Sequence, residues 1–291
     1  MNRVLPRSGR RLEITGACAG NCFHCYAVEL KKLPQMEDIG FKATVDGVKG
    51  AGLKEVYIVG GEPMLHRKAI DFCRYAKEQG LMTILVTNGY KLNDPKVAEE
   101  ILGVTDQVEI SLRSVDPSVH DNVVLGRGWI NQKPEKPPKI GGFKEAVEAL
   151  EVLNQVRERI GAKTKLAVNF DLYQQAEDFA GKGMSYAIAK MLKDKGIKLD
   201  GFYAQLILAI PVGKKDLLQA LADLKIMRDE LGVKDVGMTD DPVRCGIIDS
   251  LDEVPEELRD LIIGEVVPAI APNGSVRKNV VELTPDQLKL E

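Results

Sequence analysis

The chain has 291 residues, 44% of them hydrophobic and 29% charged, so it has apolar mass for one large core or two modest ones and is neither a disordered chain nor a collagen. Lys and Arg number 40 against 43 Asp and Glu, a net charge of −3, and the basic excess of a protein built to grip nucleic acid is missing. Five cysteines, three of them crowded between positions 18 and 25, exclude a small disulfide scaffold and point to a metal site in a reducing compartment.

In chain order, Arg11-Leu12-Glu13-Ile14-Thr15 reads as a first strand. It runs straight into Gly16-Ala17-Cys18-Ala19-Gly20-Asn21-Cys22-Phe23-His24-Cys25-Tyr26. A helix over 41–50 is closed by Gly50 and Gly52. Val56-Tyr57-Ile58-Val59 is a buried strand stopped by Gly60-Gly61, and 66–79 is a helix with Ile70, Cys73 and Ala76 on one face. A strand over 83–87 ends at Asn88-Gly89, a short helix over 95–102 starts on Pro95, and 107–113 is a fourth strand. A long amphipathic helix spans 143–160, strands follow over 165–170 and 202–210, and helices over 185–195 and 216–231. Successive β–α units predict a parallel sheet with right-handed crossovers, either an open doubly wound sheet or a partial barrel.

The connections 116–142 and 171–183 are long and leave the C-terminal ends of strands, where parallel α/β folds keep their active sites. They are candidate lids, the plain alternative being surface insertions. After Leu231 the rhythm breaks. Residues 232–291 carry Cys245, a short helix near 255–263 and an Asn273-Gly274 hairpin signal, and read as a cap appended to a domain over 1–231. The N-terminus lacks the apolar stretch of a signal peptide and no run is long enough to span a membrane, so a cytoplasmic protein is expected.

The triplet Cys18, Cys22, Cys25 has the spacing Cys-x3-Cys-x2-Cys. Thiolates suit zinc or iron–sulfur clusters. Structural zinc wants four ligands, and the local fourth would be His24, poorly placed between two cysteines. Three thiolates on a 4Fe–4S cluster leave one iron open to another ligand.

This spacing, followed by the aromatic Tyr26, resembles the signature of the radical S-adenosylmethionine (SAM) enzymes. Gly60-Gly61-Glu62-Pro63 at the end of the second strand resembles that family's glycine-rich motif for the methionine amine, and Thr87-Asn88-Gly89 ends the third strand as is frequent there. The resemblance covers about residues 11–210. It implies a partial (β/α)6 TIM-like barrel, a 4Fe–4S cluster and SAM as cofactors, and reductive cleavage of SAM to a 5′-deoxyadenosyl radical. An electron donor such as ferredoxin or flavodoxin would supply the electron.

On that footing Cys18, Cys22 and Cys25 hold the cluster, and Gly60, Gly61, Glu62 and Pro63 meet the SAM amine. Asn88 lies with them. Arg113, with Ser111 two residues earlier, is the candidate for the SAM carboxylate, because a guanidinium matches a carboxylate bidentately. Asn169 is expected to hydrogen-bond the ribose, the alternative being an amide satisfied in the core. Tyr26 is expected near adenine. Tyr203, Gln205, Asp171, Tyr173, His120, Arg127 and Trp129 are candidates to face substrate.

The tail over 269–276 resembles the hairpin of the SPASM/twitch branch, whose extra cysteines hold auxiliary clusters. Here only Cys245 remains, which cannot hold one. Cys73 is expected in the core. Cys245, beside Arg244, is the candidate to return a hydrogen atom to a substrate radical, as in some radical SAM epimerases. The expected substrate is a peptide or a small molecule such as a cofactor precursor. The alternatives are activation of a glycyl-radical enzyme, RNA or tRNA modification (against the acidic balance), and an iron–sulfur electron carrier.

Overall fold

The apolar runs become the strands of a parallel sheet. A computed structural model of the chain describes residues 9–22, 25, 34–127, 133–172, 183–206, 213–239, 247–263, 269–270 and 276–277. In chain order the elements are β1 (Gly9–Glu13), α1 (Asp38–Gly50), β2 (Glu55–Val59), α2 (Ala69–Glu78), β3 (Met82–Thr87), α3 (Pro95–Val104), β4 (Gln107–Ser111), α4 (Pro117–Val124) and α5 (Phe143–Ile160). Then come β5 (Lys165–Leu172), α6 (Met184–Asp194), β6 (Gly201–Leu206), α7 (Lys214–Ile226), β7 (Asp235–Met238), α8 (Glu256–Arg259), β8 (Ala269–Ile270) and β9 (Val276–Arg277). Among the described residues no helix is long and apolar enough to cross a membrane.

The chain divides into two compact units, Ser8–Val168 with Val267–Arg277, and Asn169–Val266 with both termini. In the first unit the strand order is β4-β3-β2-β1-β8-β9. The ladders β1–β2, β2–β3, β3–β4 and β1–β8 are parallel, and β8–β9 is antiparallel. The parallel register aligns Leu12 with Ile58, Ile58 with Leu85, and Leu85 with Val108, all four fully buried on one face. The other face carries a buried cluster of Tyr57, Val59 and Ile84 with Met82 and Val86 packed against it. Both faces are therefore dry, which is why these strands read as continuous apolar runs rather than alternating ones. Outside the sheet, Phe41 of α1 stacks on Phe72 of α2 with ring centroids 4.0 Å apart. Cys73 is fully buried on α2 and its thiol is pushed up to about 12 by burial, so it is a core residue as expected.

In the second unit β6 pairs in parallel with β7. Tyr203 and Phe202 are fully buried, and α6 and α7 are joined by Asp223, which is buried and accepts from Ser185 Oγ at 2.8 Å and from Gly183 N at 3.1 Å.

Two elements depart from the sequence reading. α4 lies inside the connection 116–142. Its start is an Asp116 cap whose Oδ1 accepts from Ser118 N at 2.7 Å, with Pro117 at the first helical position, a signal hidden among the prolines that follow. β7 prolongs the parallel ladder beyond residue 231, although Asp235-Val236-Gly237-Met238 has little β-propensity. The expected hairpin is present as β8 and β9, while its Asn273-Gly274 turn lies outside the described residues.

Candidate active site

The site is built where β1, β2 and β3 end. Beyond its last strand residue β1 keeps bonding to β2, with Ile14 N–H donating to Val59 O at 3.0 Å. The pairing then continues through both turns. Gly61 N–H donates to Thr15 O at 2.7 Å and Glu62 N–H to Ala17 O at 2.8 Å. The two backbones run so close that a Cβ on Gly61 would sit 2.5 Å from the Ala17 carbonyl, and one on Gly60 would strike the Thr15 carbonyl. Glycine is needed here because the cysteine loop lies against the turn.

The cysteine loop is fixed from two further sides. Gly20 N–H donates to Cys18 Sγ at 3.3 Å, and Cys25 N–H to Cys22 O at 3.0 Å. Asn21 N–H donates to Val124 O at the end of α4, at 2.8 Å. After the loop, Met36 N–H donates to Ile14 O at 2.9 Å, and Met36 O meets His66 Nε2 at 3.0 Å. The side chains of Cys18, Cys22 and Cys25 are half-buried.

Glu62 is 1% exposed. Its Oε1 accepts from Thr87 Oγ1 at 2.6 Å and Met64 N at 2.9 Å, and its Oε2 from Asn88 N at 2.8 Å. The carboxylate thus caps the turn at Pro63–Leu65 and ties the end of β2 to the end of β3. Burial pushes its pKa up to about 7, partly offset by those three donors. Asn88 Oδ1 accepts from Tyr90 N at 3.0 Å, and its amide lies against Gly141, whose φ is +71°.

At the end of β4, Ser111 and Arg113 are both half-buried. Ser111 continues the alternation of Gln107 and Glu109, two buried polar side chains joined by a 2.7 Å hydrogen bond. The backbone N–H of Arg113 donates to His120 Nδ1 at 3.1 Å. His120 Nε2 meets Gly141 O at 3.0 Å. His120 is 1% exposed, so it is a buried bridge and not a residue of a loop closing over substrate.

Asn169 belongs to the second unit, where it is buried on β5 with Asp171 two residues on. Tyr203 is fully buried and its hydroxyl end lies against Gly201, while Gln205 is half-buried. Tyr26, Cys245, His24, Trp129 and Tyr173 lie outside the described residues.

The donor set fits an iron–sulfur cluster. The three thiols sit on one short loop, and a backbone N–H donates to Cys18 Sγ. Among the described residues no three His, Cys, Asp or Glu side chains close around a single ion. A cluster does not require that of its ligands, since each thiolate holds a different iron. The sequence shows neither the bridging role of His120, read there as a candidate to face substrate, nor the tie from Asn21 to α4. Their roles come from contacts over distances that no local motif encodes.

A model described as the radical SAM superfamily matches residues 12–157, the stretch that carries the cysteine loop, the glycine turn and Arg113. The chain is 26% identical over 135 residues to the PqqA peptide cyclase of Xanthomonas campestris pv. campestris, covering 46% of this chain and 36% of the cyclase. It thus spans little more than a third of that relative's length. It is 32% identical over 196 residues to the S-adenosylmethionine-dependent nucleotide dehydratase of Selenomonas ruminantium, covering 66% of this chain and 67% of that protein. Among solved structures, Streptococcus suis SuiB bound to precursor peptide SuiA superposes with a TM-score of 0.59 at 15% identity, covering 96% of this chain and 63% of the other. At that identity the likeness carries the fold alone, which is α/β and of the partial TIM-like barrel kind.

Proposed function

The chain belongs to the radical SAM superfamily and is an enzyme of that class, and on that premise we propose that it holds a 4Fe–4S cluster on Cys18, Cys22 and Cys25 and uses SAM to initiate radical chemistry on a peptide. The cluster, when bound, supplies the electron that cleaves SAM to methionine and a 5′-deoxyadenosyl radical able to abstract hydrogen from substrate. An electron donor of the ferredoxin or flavodoxin kind feeds it. The observation that carries the reading is the backbone pairing of Thr15 and Ala17 with Gly61 and Glu62. It sets a loop of three thiols directly against the glycine turn.

The residues divide the work. Gly20 N–H braces Cys18 Sγ through a hydrogen bond. Gly60, Gly61, Glu62 and Pro63 shape the pocket wall for the amine of SAM. Glu62, held by three donors, works first as the brace of that wall and adds negative charge to it when ionised. Asn88 fixes the neighbouring turn. Arg113, with Ser111, takes the carboxylate of SAM, and Asn169 the ribose. Tyr26 is assigned to the adenine side and Cys245 to return of a hydrogen atom. The peptide reading draws on the cyclase relative.

A second reading, a nucleotide substrate, draws on the dehydratase, a relative matched over two thirds of its own length. The test is anaerobic reconstitution followed by dithionite and SAM, with 5′-deoxyadenosine measured alone, with peptides encoded beside the gene, and with nucleotides. Stimulation by a peptide supports the first reading, and stimulation by nucleotides alone replaces it with the second.

A further inference from the structure

We propose that His120 is a positioning residue. Through the α4 helix it holds the Arg113 end of β4 in register with the cysteine loop, and so sets how tightly the site binds SAM. The inference rests on the reading that Arg113 takes the SAM carboxylate and that Cys18, Cys22 and Cys25 hold a cluster.

Both ring nitrogens of His120 are committed to backbone. Nδ1 accepts the Arg113 N–H at 3.1 Å, so it carries no proton, and the proton on Nε2 is donated to Gly141 O at 3.0 Å. Burial holds the ring neutral, its pKa lowered to about 4, with the positive charge of Arg113 acting in the same direction. A protonated ring would present a second donor to the Arg113 N–H and lose that bond. The ring is also held edge-on by Phe143 at 5.8 Å between centroids, and Phe143 N–H donates to Asp121 Oδ1 at 2.8 Å.

The same helix reaches the cysteine loop one turn later. Val124 O accepts the Asn21 N–H at 2.8 Å, between Cys18 and Cys22. Two residues on, Gly126 takes φ +78° and lies so close to Asn21 that a Cβ would strike its carbonyl. On the other side, Gly141 packs against the Asn88 amide, where a Cβ would sit 2.7 Å from Nδ2. One eight-residue helix therefore links the residue assigned to the SAM carboxylate with the loop assigned to the cluster. His120 is the link on the Arg113 side. Small displacements of binding groups have large effects on a pre-organised site, so a residue that touches neither ligand governs their spacing.

Two substitutions separate positioning from packing, because each amide reproduces one ring nitrogen. His120→Asn places an acceptor near the Nδ1 position and keeps the Arg113 contact. His120→Gln places a donor near the Nε2 position and keeps the Gly141 contact. Both are reconstituted, checked for cluster content, and assayed for SAM cleavage and for the SAM-induced change in the electron paramagnetic resonance signal of the reduced cluster. The expected result is a KM for SAM raised about tenfold in His120→Gln, with kcat changed far less, and a KM within about threefold of wild type in His120→Asn. Equal KM in both variants, or a loss that tracks melting temperature alone, overturns the proposal. Phe143→Leu frees the ring while leaving both hydrogen bonds possible, and it serves if neither His120 variant retains its cluster. A rise in its KM of about twofold supports positioning and an unchanged KM overturns it. Wild-type protein with a full cluster and no SAM-induced spectral change would instead overturn the underlying assignment, which keeps the two failures distinguishable.

Discussion

The ends of β1 and β2 and the end of β4 are held in different ways. At the first, backbone bonds to backbone across two glycine-lined turns, and Glu62 clamps the result to the end of β3. At the second, the chain leaves β4, forms α4, and returns a single imidazole beneath the Arg113 N–H. The first arrangement tolerates almost no added atom, because the contacts are between main chains that cannot rotate away. The second includes a side chain, His120, at which spacing can change without unfolding the strands.

The largest test of the first region is chemical. Cys22→Ala is expected to abolish the iron–sulfur absorbance and SAM cleavage together while the far-ultraviolet circular dichroism stays near wild type. Retained cleavage would break the assignment. Next is Gly61→Ala, whose Cβ would meet the Ala17 carbonyl at 2.5 Å and the Gly16 carbonyl at 2.7 Å. A cost of about 3 kcal/mol in urea unfolding is expected, with poor cluster retention despite intact cysteines. Gly103→Ala, in α3 with nothing within 4 Å, is the control and should stabilise by about 0.5–1 kcal/mol.

Glu62 sharpens the comparison through pH. Its pKa is raised from 4.5 to about 7 by burial, so the folded protein keeps the proton that the unfolded chain releases earlier. The stability contribution is fully present below pH 4.5 and is lost as pH rises through about 7, a total of about 3 kcal/mol. Glu62→Gln stays neutral throughout. Wild type should therefore lose stability relative to this variant across that window, as measured by unfolding at several pH values. A constant difference would contradict the buried clamp. The smallest loss of stability belongs to the second region. Asp116→Ala removes the α4 cap and should cost about 1 kcal/mol, read as a lower melting temperature.

The same contrast explains what was legible in the sequence. The cysteine triplet, the glycine turn and the apolar strands are local patterns, and each strand of the first unit stands within a few residues of where periodicity puts it. Glu62 was recognisable as important. Its three donors on Met64, Thr87 and Asn88 were not, because two of them come from another strand. α4 was hidden, since eight residues between prolines carry too little periodicity to announce a helix. His120 read as a loop residue because nothing in its neighbourhood reveals that it bonds seven residues back and 21 residues on. β7 has only four residues and borrows its place from β6.

The central claim is that the loop of three cysteines and the turn it is zipped to form one SAM-cleaving site. The most direct test is to reconstitute the wild-type protein anaerobically, reduce it with dithionite, add SAM and quantify 5′-deoxyadenosine and methionine. The account predicts equal amounts of both, dependent on the reductant and absent in Cys22→Ala. A fully loaded, reducible cluster that yields no 5′-deoxyadenosine would contradict it.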